Sequence, residues 1–148
     1  MLIPILQQLF KRDLDKLSSE IAAYEHEEDL WKIQGAITNS AGNLCLHLVG
    51  NLNHFIGAQI GKSGYIRNRD LEFSLKNIPR KQLLEMIDTT KKVVEGSLEN
   101  IKEEDLGKEY PIVVFADKMT TGYFLVHLVA HLDYHLGQIN YHRRMINA

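Results

Sequence analysis

Apolar residues recur at three- and four-residue steps in four separate stretches of this chain, a period that dictates helices with one buried stripe each. The first stretch carries Leu6, Leu9, Phe10, Leu14, Leu17 and Ile21 behind Pro4, a residue suited to a first helical turn. The second starts at Asn39-Ser40, whose side chains can cap a helix, and runs through Leu48, Leu52 and Phe55 to about Gly61. Pro79 opens the third, with Leu83, Ile87, Val94 and Leu98 on one face. Thr120 or Thr121 caps the last, which holds Phe124, Leu128, Leu132 and Leu136 and continues to about Met145. A connector from Tyr24 to Thr38 holds the only tryptophan, Trp31, and a long connection mixing glycine, Asn and charge spans Gly61 to Pro79. A second long connection joins Asn100 to Lys118, where Pro111-Ile112-Val113-Val114-Phe115 reads as a short extended segment. The expected fold is all-α, a four-helix bundle with long crossover loops forming one domain over residues 1–148. In an up-down-up-down order the second and last helices run parallel, and their side chains converge.

Composition narrows the function. With 45% hydrophobic and 24% charged residues the chain can build a packed core, and a net charge of −2 offers no basic footprint for nucleic acid. No apolar run spans a bilayer, so no membrane role is expected. The start, Met1-Leu2-Ile3-Pro4, lacks the features of a secretory signal. Cys45 is the only cysteine, which excludes an internal disulfide and thiolate-rich zinc motifs and points to a reducing cytoplasm.

Six of the seven histidines fall in the second and last helices, all but His26. His127, His131 and His135 recur every four residues, one position ahead of the row Phe124, Leu128, Leu132 and Leu136. His47, Asn51 and His54 likewise sit one position ahead of Leu48, Leu52 and Phe55. Two imidazoles on successive turns can chelate one metal, and a third from a facing helix completes a tripod with an open coordination position. Such a centre can lower the pKa of bound water or activate a thiol. Spacing alone fits ordinary helix-edge histidines equally well.

Other groups carry weaker signals. Arg67 and Arg69, in Tyr65-Ile66-Arg67-Asn68-Arg69-Asp70, could reach the end of the bundle and bind a substrate carboxylate, or serve as surface ion pairs. Asn51 could orient a ligand or bond between helices. Cys45, two residues before His47, points away from it and reads as a packing thiol. His26 and His142 read as solvated, the latter joining Arg143 and Arg144 at a helix C-terminus. Gly57-Ala58-Gln59-Ile60-Gly61-Lys62-Ser63 is one residue short of a phosphate loop and sits at a helix end. Neither Glu-x-x-His nor His-Glu-x-x-His occurs, which argues against a carboxylate di-iron bundle and a zincin.

The stretch Asn39-Ser40-Ala41-Gly42-Asn43-Leu44-Cys45-Leu46-His47-Leu48-Val49-Gly50-Asn51-Leu52, with the later His131-Leu132-Asp133-Tyr134-His135-Leu136-Gly137-Gln138-Ile139, resembles the DinB/YfiT-like metalloenzyme superfamily, in its branch of uncharacterised DinB-like proteins. The resemblance covers nearly the whole chain. It implies a four-helix bundle, a homodimer, and a divalent metal, zinc or nickel above all, on His47, His131 and His135. Many members carry Glu and Arg after the two last-helix histidines, where this chain has Leu132 and Leu136. The activity implied is a metal-dependent transferase or hydrolase acting on a small molecule, with a low-molecular-weight thiol as cosubstrate. The rival expectation is a non-catalytic dimeric bundle working in stress response through protein contacts.

The helix-two ligand is open on the residues alone. His54 lies two turns, about 10 Å, beyond His47, so both cannot share one ion. Counting from the helix starts sets His54 nearer the level of His131 and His135, whereas the resemblance selects His47. His127 and Asn51 remain as alternative or supporting residues.

Overall fold

A computed structural model describes residues 1–146. Among them there is no strand, and five α-helices follow in order: α1 (Leu2–Ala22), α2 (Ala41–Leu52), α3 (Arg69–Ser74), α4 (Arg80–Glu99) and α5 (Thr121–Ile146). Short 3-10 turns lie at Glu27–Trp31 and Glu103–Gly107. The apolar stripes of α1, α2, α4 and α5 meet in one core that includes Leu14, Leu17, Leu48, Leu52, Leu83, Leu98, Leu128 and Leu132. Among the described residues, no helix is long and apolar enough to cross a membrane.

The expected caps form. Ser40 Oγ accepts from the Asn43 backbone N–H at 3.2 Å, and Thr120 Oγ1 accepts from that of Tyr123 at 3.1 Å. Beyond Leu52 the second helix continues as a π-helical segment, Asn53–Ala58, with Gly61 N–H donating to Ile56 O at 2.9 Å. The Gly61–Pro79 connection holds a helix of its own, α3, because Asn68 Oδ1 caps Leu71 N–H at 3.4 Å and Asp70 and Glu72 sit in its first turn. The Pro111–Phe115 segment is not a strand. The chain pairs just outside it, where Tyr110 N–H donates to Met119 O and Thr121 N–H to Lys108 O.

The helix order differs from up-down-up-down. Lys91 bonds Asp15 while Arg80 reaches Tyr24 O, so α4 runs against α1. Asn53 donates to Thr90, and Gly61 abuts Ser97, so α2 runs along α4. The Phe55 ring meets Phe124 at 5.1 Å while His47 meets His131, so α2 and α5 are antiparallel. The path is therefore up, down, down, up. The parallel pair α2 and α4 is joined by the long connection containing α3, as a parallel neighbour requires.

His142, expected to be solvated, is 7% exposed. The Lys32 carbonyl can only accept, so His142 Nε2 donates to it at 2.8 Å, and Nδ1 takes the Tyr24 hydroxyl at 2.6 Å. Both ring nitrogens are satisfied by the neutral form. His142→Leu leaves the Tyr24 hydroxyl and the Lys32 carbonyl without that partner, and should lower stability by about 1–3 kcal/mol in chemical denaturation.

Candidate metal centre

The antiparallel pairing of α2 and α5 brings His47 level with His131 and His135. Four residues apart on α5, the latter two present neighbouring rings to one face. His131 Nε2 lies 3.2 Å from His47 Nε2 and 3.2 Å from His135 Nε2. One ligand atom from each of the three histidines falls within 4.8 Å of the others, so the group can hold a metal ion. For comparison, nitrogens about 2.0–2.1 Å from a tetrahedral zinc stand roughly 3.3–3.4 Å apart.

Proton placement supports the fit. His47 Nδ1 is 3.0 Å from Glu72 Oε1, and a carboxylate only accepts, so Nδ1 carries the hydrogen and Nε2 turns a lone pair inward. His135 Nδ1 donates in the same way to Gln138 Oε1 at 2.7 Å. Two of the three converging Nε2 atoms are thus bare. A proton on His131 Nε2, or a cation, relieves that crowding. His131 Nδ1 is buried without a partner.

Burial, followed by the neighbouring His135, His47, His127 and Arg67, drives the His131 pKa down to about 4. Burial also lowers that of His135, against the bond to Gln138. Metal ligation needs such neutral imidazoles. In the metal-free protein the folded state takes up fewer protons at His131 than the unfolded chain does. That contribution to stability is present above the ordinary value of 6.5 and is lost as pH falls toward 4. Metal-free protein should therefore lose denaturation midpoint across this window, and His131→Gln should flatten the loss.

Glu72 is the residue that the sequence reading missed. It arrives from α3, 25 residues after His47, buried at 6% exposure. Arg67 donates to both of its oxygens, from Nε and Nη2, each at 2.9 Å. Burial pushes the Glu72 carboxyl up, but the bonds from His47 and Arg67 outweigh it and hold the pKa below the usual carboxylate range. Two features of α2 seat it. Asn43 Nδ2 donates to Glu72 O at 2.9 Å and Leu75 O at 2.8 Å, pinning α3 onto α2. Gly50 leaves the space, since a Cβ there would lie 1.8 Å from Glu72 Oε2.

The remaining candidates fall elsewhere. With α2 and α5 antiparallel, His54 lies toward the start of α5, its ring against Phe55 at 4.7 Å, and does not join the group. The counting that favoured it assumed parallel helices. His127 stacks on Phe124 at 5.7 Å and also stays outside the group. Asn51 is buried, with Oδ1 unpartnered. Arg67 directs Nε and Nη2 of its guanidinium to Glu72, and Arg69 lies over the Phe73 ring at 5.1 Å. Cys45 is fully buried and its thiol is pushed up to about 12 by burial, as suits a packing residue.

Fold and site together define an all-helical protein with a three-histidine group built between two antiparallel helices. The chain belongs to the family described as protein of unknown function (DUF1572), whose profile matches residues 5–148. No curated protein matches it.

Proposed function

We propose that this protein is a divalent-metal-dependent enzyme of the DinB/YfiT-like superfamily, its α1, α2, α4 and α5 forming the four-helix bundle and His47, His131 and His135 holding zinc or nickel. The observation that supports this most is the convergence of three Nε2 atoms, two of them stripped of hydrogen by Glu72 and Gln138. Three neutral imidazoles leave a divalent ion an open position, at which water or a thiol loses its proton near neutral pH. Glu72 and Gln138 fix the rings, so the site needs little rearrangement to bind.

The reading extends to a transferase or hydrolase acting on a small molecule, with a low-molecular-weight thiol as cosubstrate, in the cytoplasm. A homodimer is part of it. Phe115 and Tyr123, both exposed, border one surface hollow beside the start of α5, where a second copy would cover them. Protein purified without chelators or an affinity tag should carry one ion per chain by elemental analysis, with anomalous scattering naming the metal. Stoichiometry well below one, unchanged in His131→Ala, would sink the proposal.

A further inference from the structure

Beyond His135 the protein offers a cleft of about 560 Å³ between residues 34–39 and the C-terminal half of α5. That volume suits a small organic molecule. Ile37, Leu44, Tyr134, Tyr141 and Met145 supply apolar walls, and His135 and Gln138 form the wall shared with the histidine group. Among the described residues, no Asp, Glu, Lys or Arg lines it. His142 also borders it, with both nitrogens already bonded to Tyr24 and Lys32. The charges closest to the histidines, Arg67 and Glu72, satisfy one another on the His47 side.

We propose that this cleft receives the uncharged, largely apolar part of the substrate, whose polar head reaches the metal past His135. The inference rests on the metal-enzyme reading and adds the substrate class. An anionic tail would find no cation in the cleft and would lose its hydration there. An aromatic or aliphatic tail would be removed from water against the tyrosines and Ile37. Gln138, which holds His135 and borders the cleft, links the two halves of the site.

The test uses cobalt(II)-loaded protein, whose visible spectrum reports ligands at the open position, with three hydroxamates: acetohydroxamate, 4-phenylbutyrohydroxamate and the latter's para-carboxylate. The phenyl tail should tighten binding about tenfold or more over acetohydroxamate, from the apolar area removed from water. The carboxylated tail should lose that gain. Ile37→Glu and Tyr141→Ala change side chains that are 44% and 66% exposed, so both variants should fold. Each should erase the phenyl gain and leave acetohydroxamate affinity unchanged. If acetohydroxamate leaves the spectrum untouched, the ion has no open position and the enzyme reading itself fails. If it binds but the phenyl tail adds nothing, or the carboxylate binds better, the cleft assignment is overturned. An absent tail gain, together with dimers that Ile37→Glu dissociates in sedimentation, assigns the cleft to a second copy and overturns it equally.

Discussion

Replacing His131 by alanine should reduce metal affinity by more than about 100-fold, beyond the 10- to 100-fold typical of losing a supporting residue. The reason is position. His131 Nε2 is 3.2 Å from each of its two partners, so it is the vertex that joins α2 to α5 at the site. Without it, His47 and His135 remain as two rings with centroids 5.2 Å apart, held by separate helices and separate acceptors. The fold should survive. The His131 ring is only half-buried and its Nδ1 has no partner, so truncation removes modest packing and the contacts of Nε2 alone. Metal-free wild type and variant should then unfold within about 1 kcal/mol of each other. Metal at one hundred times its dissociation constant should stabilise the wild type by about 2.7 kcal/mol and leave the variant unmoved. A variant that gains as much as wild type would show that the ion sits elsewhere.

How far the residues announced this arrangement varies by element. The stripes of α1, α2, α4 and α5 were legible because each must bury one face, and the caps Ser40 and Thr120 stand where side-chain chemistry demands. His47, His131 and His135 were legible as a set through spacing and resemblance. Helix direction was not, because the long Gly61–Pro79 connection is compatible with either sense, and the parallel assumption carried His54 into contention. Glu72 left no periodic trace. Its place depends on a short helix docking through Asn43 and on an absent side chain at Gly50, and neither is visible until the chain folds back. His142 was legible after all: it lies three residues after Ile139, which continues the row Leu128, Leu132 and Leu136. The neighbouring Arg143 and Arg144 give the helix end a solvated, basic character that masks this continuation of the stripe.

Gly50→Ala should weaken metal binding roughly 10- to 100-fold while leaving all three imidazoles in the chain. The added methyl would stand 1.8 Å from Glu72 Oε2, a distance no side chain tolerates, so the carboxylate must leave His47 Nδ1. His47 then loses the acceptor that fixes its hydrogen on Nδ1, and the ring can turn or carry the hydrogen on Nε2, where it blocks ligation. Glu72→Gln should act in the same direction by another route. It removes the charge that pairs with Arg67 and offers an amide where the guanidinium needs an acceptor, and the neighbouring Arg67 Nη2, 3.4 Å from His47 Nδ1, becomes an uncompensated cation. The two variants differ in what they do to stability: Glu72→Gln unpairs a half-buried Arg67, whereas Gly50→Ala keeps both charges and displaces one. A shared loss of affinity with unequal unfolding free energies, together with altered cobalt(II) visible spectra in both, therefore marks Glu72 as the residue that orients His47. Affinities within threefold of wild type in both variants would reduce Glu72 to a clamp on α3 with no bearing on the metal.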